Sequence, residues 1–587
     1  MKQYVQGLKH ALRFILTEQK SLFWSLLVMS LVMTARSFFD LYFVKRTTEC
    51  AESLVKRRIT MPEAVPVLIA WLAISLLFAL LGQITAYVRE IFRLNLTFSY
   101  NRELIRSTSE HTAEYFEHYE NNRKVMNARD KGSAVLLNYA EAIIQYASAL
   151  PLLFIYGYYL FQINIPIVLL CLASQLFILG TAGKRLASLK TMWSRLEPFR
   201  LRRQYYAGLF SNKSIHQELH ANQSFSLIIN KWIKEFDSEL HTYIQIGRTY
   251  EVKMQLIRLL SNLPYFVIIA TTAVEIINGR QTIAYLMLIT QLFNALIGVL
   301  EGLHLSAQKN ISEQGFLDSF WELREAERAD HIVSGRTVSE DIHLDRVSYR
   351  YPDARANALN EVSLSIPRHT KLAVIGENGS GKTTLMNLCN GTYIPTEGRL
   401  CLPESRPACV FQNAAHFFFT VRENIQIGNG MHSLNDEELW NLLDLVGLSD
   451  AVRSMPKGLD TMLGQLDEGT DLSMGQWQKL AIARLFASED ADFWILDEPT
   501  AYLDPIAEIE LYQEILKRAG DRTVFFVSHR LGFAVHSDLI LIMDKGKVSD
   551  LGTHEQLYAE NSIYREMIDG QRNWTEETTV LLSGHSA

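Results

Sequence analysis

The sequence lacks the cysteine pattern that a disulfide framework or a zinc site would need. Its 5 cysteines are scattered along 587 residues without a Cys-x-x-Cys pair, so neither feature is predicted. With only 31 Gly and 14 Pro, the chain is not collagen-like or of low complexity. A charged fraction of 21% against 48% hydrophobic residues excludes a disordered chain. We therefore expect a folded protein, long enough for two or more domains.

An excess of positive charge is also missing. The formal net charge is -7, and a chain with this balance has no overall basic field with which to attract a polyanion. The charge therefore predicts no nucleic-acid partner.

Long apolar runs fill residues 1–325, which we interpret as a membrane domain. The hydrocarbon layer of a bilayer is ~30 Å thick and needs about 20 mostly apolar residues in a helix. Soluble cores seldom supply many runs of that length, so the lipid bilayer is the expected partner of this domain. Six candidate spans have the required length, at approximately 21–44, 64–88, 137–161, 165–182, 257–278 and 282–304.

Lys and Arg are unevenly distributed between the loops of this domain. The hydrophilic stretches 89–136 and 183–256 carry many of them, and an excess of basic residues is typical of cytoplasmic loops. We therefore place both stretches and the amino terminus in the cytoplasm, although the basic residues at 56–58 lie in a loop assigned to the outside. Both stretches have little Gly or Pro, and helices through them would extend the spans roughly 35–40 Å beyond the membrane.

After residue 325 the pattern changes to short β-rich runs and Gly-rich turns. A buried strand at 371–375 leads directly into a P-loop and then into a helix, the context that this motif requires. Its glycines let successive backbone N–H groups and the helix N-terminus face phosphate oxygens. Lys382 can neutralise β and γ oxygens, and the Thr383 hydroxyl can ligate Mg²⁺. The loop reads Gly376-Glu377-Asn378-Gly379-Ser380-Gly381-Lys382-Thr383-Thr384.

Two carboxylates follow a second apolar strand, which ends in Asp497 and Glu498. We expect this strand to lie beside the P-loop strand, so that Asp497 reaches the Mg²⁺ shell and Glu498 the attacking water. His529 follows a third strand and can bond the γ-phosphate or the water. An Asp-Glu pair after a strand is common, but together with a P-loop it predicts hydrolysis of a phosphoanhydride.

A set of ordered motifs resembles the ATP-binding cassette (ABC) ATPases. The segment Leu472-Ser473-Met474-Gly475-Gln476 is similar to their signature motif, although the family has Gly where Met474 stands. Tyr351 matches the aromatic residue that stacks on adenine, Gln412 the Q-loop glutamine and Asp504 the D-loop. With six spans ahead of it, the chain resembles a half-transporter of the exporter type. Its expected fold is an α-helical membrane bundle followed by an α/β P-loop NTPase domain at 326–570 and a polar tail at 571–587.

The resemblance implies that two cassettes pack head to tail, so that ATP held by one P-loop is covered by Ser473 and Gly475 of a partner chain. It also implies coupling helices near 115–122 and 210–218, which convert cassette closure into outward opening of the bundle. The ATP-binding residues that it implies are Tyr351, Gly376, Glu377, Asn378, Gly379, Ser380, Gly381, Lys382, Thr383, Thr384, Ser473, Gly475, Gln476 and Asp504.

Catalytic and metal-binding roles are also implied by the resemblance. Glu498 would be the general base, with His529 and Gln412 as further catalytic residues. Thr383, Gln412 and Asp497 would hold Mg²⁺, which with ATP makes up the expected cofactor set. Because the base is present, a homodimer is favoured, and a heterodimer with a second half-transporter is the alternative.

The cargo is predicted only as a class. Mixed charges and many aromatic residues in the spans suit an amphipathic peptide, a lipid-like molecule or a drug. The sequence around the signature motif resembles that of bacterial peptide and lantibiotic-type exporters. The favoured function is ATP-driven export across a bacterial plasma (inner) membrane; an importer of metallophore type and a regulatory membrane ATPase are alternatives. Polar groups near the spans are candidates either for cargo contact or for helix packing. They are Arg36, Asp40, Glu141, Glu275, Gln291 and Glu301.

Overall fold

The computed structural model divides the chain into two compact units. The first comprises Met1–Thr108 and Arg123–Ala326, and the second Ser109–Asn122 and Glu327–Ala587. The predicted span 165–182, His529 and the tail 571–587 lie outside the residues that the structure describes. The described residues are 2–163, 191–192, 195–196, 198–326, 337–352, 354–405, 407–430, 432–464, 469–528 and 534–569.

Helices make up the first unit. Within the described ranges, four helical stretches are long and apolar enough to cross a membrane, namely Lys20–Val55, Met61–Ser109, Tyr119–Tyr159 and Ile283–Glu325. The shorter apolar stretch Tyr265–Ile277 falls inside the predicted span 257–278. The helices from 2 to 325 are Lys2–Glu18, Lys20–Val55, Met61–Ser109, Ala113–Glu117, Tyr119–Asn127, Ser133–Ile163, Lys213–Ala221, Phe225–Ile277 and Ile283–Glu325, with a π-helical segment at Ala128–Gly132.

Several of these helices are much longer than a membrane is thick. The helix Phe225–Ile277 has 53 residues, which at 1.5 Å per residue makes it about 80 Å long, against a hydrocarbon layer of ~30 Å. Met61–Ser109 has 49 residues and continues from apolar into hydrophilic sequence without a break. The helical extensions expected from the hydrophilic stretches are thus present at 89–109 and 225–256.

The first unit combines a packed interior with an apolar surface. The helix Ile283–Glu325 packs against Ser133–Ile163 and Lys20–Val55. Large apolar side chains on the Met61–Ser109 helix stay uncovered, as at Leu76 and Leu80, which are 57% and 65% exposed. Such an uncovered apolar face suits contact with lipid. One interior cluster consists of Leu41, Tyr156, Leu288, Leu292 and Leu296.

Two β-sheets form the frame of the second unit. One sheet has the order β1-β5-β2-β3, and the other has the order β10-β9-β4-β8-β7-β6. In the six-stranded sheet all pairings are parallel except that of β10 with β9, so the carboxyl ends of its central strands open on one edge. The strands are β1 Thr337–Val338, β2 Ile342–Tyr349, β3 Leu359–Ile366, β4 Lys371–Gly376, β5 Glu397–Leu402, β6 Ala408–Val410, β7 Phe493–Asp497, β8 Thr523–Val527, β9 Leu539–Asp544 and β10 Lys547–Gly552.

One expectation about this sheet is wrong. The carboxylate strand β7 does not lie beside the P-loop strand β4, because β8 pairs with both and separates them. The P-loop and the carboxylates at the end of β7 still meet, because the helix Lys382–Cys389, which follows the P-loop, contacts β7 as well as β8. The first turn of that helix, rather than β4 itself, therefore faces the end of β7.

The remaining helices of the second unit pack on the sheets. The helix Met474–Ala487, here called the signature helix, is buried along most of its length. Arg484 ties it to its surroundings, since Nε donates to Asn424 O at 3.0 Å and Nη1 donates to Ala415 O at 2.9 Å. Burial lowers the pKa of Arg484 to about 10. The other helices are Lys382–Cys389, Val421–Gln426, Asp436–Leu445, Ser449–Arg453, Pro505–Ala519 and His554–Glu560, with short 3₁₀ turns at Ile427–Asn429, Gly458–Asp460 and Ala534–His536.

Candidate nucleotide-binding and hydrolysis site

The P-loop forms a tight backbone cradle at the end of β4. Gly379 and Gly381 have φ of +82° and +100°, a region that side-chain-bearing residues rarely adopt. At Gly381 a Cβ atom would also lie 2.7 Å from Leu359 Cδ2 and 2.9 Å from Ala358 O. Glycine is therefore required there by both conformation and space.

The cradle holds a cation and a buried hydroxyl. Lys382 is only 6% exposed, and its Nζ donates to the carbonyls of Gly376 and Glu377 at 2.8 and 2.9 Å. Burial lowers the pKa of Lys382, while the carboxylates of Glu498 and Asp497 oppose that shift. Among the residues that the structure describes, no hydrogen-bond partner is found for the buried Ser380 Oγ. An ammonium group beside a backbone nest fits a polyphosphate.

Oxygen ligands for a hard cation lie beside this cradle. The Thr383 hydroxyl donates to Asp497 Oδ2 at 3.2 Å, and Asp497 is 5% exposed. A hydroxyl and a carboxylate next to phosphate oxygens are the donors that Mg²⁺ accepts in phosphoryl-transfer sites. The side chains present thus fit the predicted metal.

Glu498 continues from β7 into the same space. Gln412 Nε2 donates to Glu498 Oε2 at 2.8 Å, so the predicted base and the predicted Q-loop glutamine are in direct contact. Glu498 has φ of +47°, which is unusual for a non-glycine residue and turns its side chain away from the strand direction. Glu498 lines the same cavity as the P-loop.

Most of the predicted ATP-binding and catalytic residues border one cavity of about 280 Å³. Tyr351 closes one side, where its hydroxyl is 3.0 Å from Thr384 Oγ1. The other predicted ATP-binding residues do not line it, and they are Gly376, Glu377, Ser380, Ser473, Gly475, Gln476 and Asp504. The lining residues are Tyr351, Ala358, Asn378, Gly379, Gly381, Lys382, Thr383, Thr384, Gln412, Asp497, Glu498 and Val527.

The signature motif forms a capped helix N-terminus. Ser473 Oγ accepts from Gln476 N at 3.3 Å and Gln476 Oε1 accepts from Ser473 N at 2.9 Å, a reciprocal capping box. A Cβ atom at Gly475 would lie 3.0 Å from Tyr502 O, so the helix approaches the D-loop closely. Met474, which replaces the family glycine, is 48% exposed and leaves this packing intact.

An aromatic cluster links Tyr351, on one side of the cavity, to the predicted first coupling segment. The rings of Tyr349 and Tyr393 stack at 5.0 Å, and both meet Tyr351 edge-on. The Tyr349 hydroxyl donates to Glu114 Oε1 at 3.4 Å, and Tyr393 donates to Glu117. Both glutamates lie in the short helix Ala113–Glu117, which belongs to the second unit.

Sequence reasoning overlooked Tyr349 and Tyr393. The position of Tyr349, two residues before Tyr351, could have indicated that it lies near the same site, since alternate residues of a strand share one face. The predicted segment 115–122 overlaps the short helix, and the other predicted segment, 210–218, overlaps Lys213–Ala221.

The candidate cargo residues are dispersed over the first unit. Arg36 Nε and Asp40 Oδ2 lie 3.5 Å apart, one helical turn from each other. Glu275 and Gln291 are half-buried, whereas Glu141 and Glu301 are exposed. The Arg36–Asp40 pair agrees with the helix-packing alternative, because each charge already has a partner within its own helix.

Comparisons with known proteins find relatives of the cassette and of the whole chain. Residues 359–501 match the ABC transporter family. The subtilin transport ATP-binding protein SpaT of Bacillus subtilis is 27% identical over 95% of this chain and 93% of its own length. The nisin transport ATP-binding protein NisT of Lactococcus lactis subsp. lactis is 27% identical over 85% of this chain and 86% of its own length.

A solved structure extends the likeness to the whole fold. The structure of a bacterial Atm1-family ABC exporter with ATP bound superposes with a TM-score of 0.77 at 17% identity, covering 94% of this chain and 99% of that one. This likeness shows the fold. The family match over 359–501 and the two relatives that span most of the chain support an exporter-type half-transporter, which joins membrane helices to one ATP-binding cassette.

Proposed function

We propose that this half-transporter works as a homodimer in a bacterial inner membrane, hydrolyses Mg²⁺-ATP at two shared sites and exports an amphipathic peptide of the lantibiotic type. The observation that carries the hydrolysis step is the contact of Gln412 with Glu498 in the same cavity as Lys382, Thr383 and Asp497. The proposed base, the P-loop cation and the two proposed metal-holding groups of one chain all border that cavity.

The first step is binding of the triphosphate. Lys382 Nζ exchanges a carbonyl partner for phosphate oxygens, and the Ser380 hydroxyl donates a further hydrogen bond. Tyr351 stacks on adenine. Neutralisation of phosphate charge is the chemistry that Mg²⁺ supplies in such sites, and Thr383 and Asp497 would hold it.

The second step is closure. Ser473 and Gly475 of the partner chain approach the γ-phosphate from a helix N-terminus, whose positive end favours an anion. Gln476 orders this terminus through the capping box, and Asp504 does the same for the next helix by accepting from Ala507 N. ATP therefore binds the closed pair better than the open pair, and this difference drives the conformational switch.

The third step is hydrolysis. Glu498 accepts a proton from the attacking water, and Gln412 holds the carboxylate in orientation through its amide. We assign His529 to the γ-phosphate. No covalent intermediate is needed, because positioning and electrostatics carry the rate. Loss of the γ-phosphate removes the contact that holds the pair closed and resets the transporter.

Replacing Glu498 by Gln tests the base. The full chain, reconstituted in liposomes, should lose at least ~100-fold in ATP hydrolysis, the usual contribution of general base catalysis, while it still binds ATP. Glu489→Gln is the matched control, since Glu489 is exposed and should leave the rate unchanged. Near-normal turnover in Glu498→Gln would reject the assignment.

The cargo is tested separately. Inside-out vesicles expose the cassettes, so an exporter should accumulate a labelled lantibiotic-type peptide inside them only when Mg²⁺-ATP is added. The names of SpaT and NisT, which refer to subtilin and nisin transport, support this choice of probe. Accumulation of a labelled lipid or drug instead of the peptide would correct the cargo class, while ATP-driven uptake into right-side-out vesicles would contradict export.

A further inference from the structure

A buried glutamine connects the signature helix to the catalytic carboxylate of the same chain. Gln478, in the second turn of that helix, is only 4% exposed. Its Nε2 donates to Glu498 O at 3.1 Å, and its Oε1 accepts from Tyr502 N at 3.0 Å. One amide therefore bridges the backbone that carries the proposed base and the backbone of the D-loop.

The backbone at Glu498 needs this kind of support. Its φ of +47° lies in a region that non-glycine residues seldom occupy. Such conformations persist only where the surroundings determine them. Glu498 N donates to Val527 O at 3.0 Å, and its carbonyl accepts from Ala501 N at a longer 3.3 Å. Gln478 supplies a shorter bond to that carbonyl than Ala501 does, at 3.1 Å against 3.3 Å.

We propose that Gln478 is a positioning residue that links ATP bound at one site of the dimer to hydrolysis at the other. The signature helix covers the partner's ATP with its first turn and holds this chain's own Glu498 and D-loop with its second. Movement of the helix on closure therefore places Glu498 against its water. This inference rests on the proposed role of Glu498 as the base.

The two backbone partners of Gln478 require a side chain with both a hydrogen-bond donor and an acceptor. The partners are one carbonyl and one N–H, and a primary amide offers one donor end and one acceptor end. Glutamate keeps the acceptor and loses the donor, and leucine loses both. Because the site is buried, the orphaned backbone groups are not compensated freely by solvent. Gln478 does not line the nucleotide cavity, so its loss should affect the chemical step rather than ATP binding.

The experiment compares Gln478→Leu and Gln478→Glu with wild type in the reconstituted full chain. We expect kcat to fall about tenfold or more for both, while KM for ATP and the Kd of a fluorescent ATP analogue stay within twofold. Lys479→Gln, the neighbouring change, is the control, since the Lys479 side chain points to a different partner and donates to Gly447 O at 3.2 Å. Gln478→Glu is nearly isosteric and decides the case if the leucine variant does not fold.

Two further variants separate the proposed role of Glu498 as the base from the proposed role of Gln478 as its positioning residue. They are Glu498→Gln and the double variant that combines Glu498→Gln with Gln478→Glu. If Gln478 acts through Glu498, the double variant is no slower than Glu498→Gln alone. Near-normal kcat in both Gln478 variants, or a parallel loss of kcat and ATP affinity, would overturn the inference while an inactive Glu498→Gln kept the proposed base. An active Glu498→Gln would instead overturn the base itself.

Discussion

The two units of this protein place different demands on their side chains. In the second unit the functional groups are fixed by named contacts, such as Gln412 to Glu498 and Thr383 to Asp497. In the first unit large apolar side chains such as Leu80 stay uncovered, and lipid contact asks only that they be apolar. Phosphate chemistry therefore specifies residue types at fixed spacing, whereas a bilayer specifies little beyond length and hydropathy.

The largest effect should follow from a change in the P-loop. Lys382→Met removes the buried cation of the cradle, so ATP hydrolysis should fall at least ~100-fold and ATP affinity about tenfold, as expected for loss of charge-assisted hydrogen bonds. Lys517→Met is the matched control, because the Lys517 side chain is 79% exposed. Equal ATPase activity of the two variants would mean that the second unit does not need a cation at this P-loop position. The contrast drawn above, in which phosphate chemistry fixes residue types in that unit, would then fail.

A smaller effect should follow from the segment that contacts the aromatic cluster. The double variant Glu114→Gln with Glu117→Gln removes the negative charge of both carboxylates. This change weakens the hydrogen bonds that they accept from Tyr349 and Tyr393. We expect about a threefold to tenfold loss of peptide-stimulated ATP hydrolysis, with the basal rate held within twofold. Glu437→Gln, an exposed change elsewhere in the cassette, is the comparison. A matching fall in the basal rate would mean that these contacts serve folding rather than coupling.

The smallest effect should come from the membrane unit. Arg36 and Asp40 pair within one helix, and pairs of this spacing contribute only ~0.3–0.5 kcal/mol. Arg36→Gln with Asp40→Asn should therefore change peptide accumulation in inside-out vesicles less than about twofold. A loss of tenfold with an unchanged basal ATPase rate would identify the pair as a cargo contact and sharpen the map of the first unit.

Sequence reasoning was most informative where backbone chemistry limits the residue type. The P-loop, Gln412 and the two carboxylates border one cavity, because a strand, a Gly-rich turn and a helix leave few ways to arrange them. The position of β7 was mistaken, since strand order depends on which crossover passes over which strand and no local pattern encodes that. The roles of Gln478 and Tyr393 escaped notice because each depends on partners that are distant along the chain.

The membrane spans were predictable as helices but not as a site. Hydropathy locates apolar helices such as Met61–Ser109 and Ile283–Glu325, yet which polar group faces another depends on how helices rotate against each other. The Arg36–Asp40 pair could be anticipated from its spacing alone. The candidate cargo residues carry no comparable local signature.

Ser473 shows how one atom can make folding and recognition inseparable. Its oxygen already accepts the Gln476 N–H that starts the signature helix, and in the proposed closed pair the same hydroxyl donates its proton to a phosphate. A change to alanine would remove both roles at once, so fraying of the helix and loss of the ligand contact could not be told apart. Aspartate would retain the cap and repel the anion.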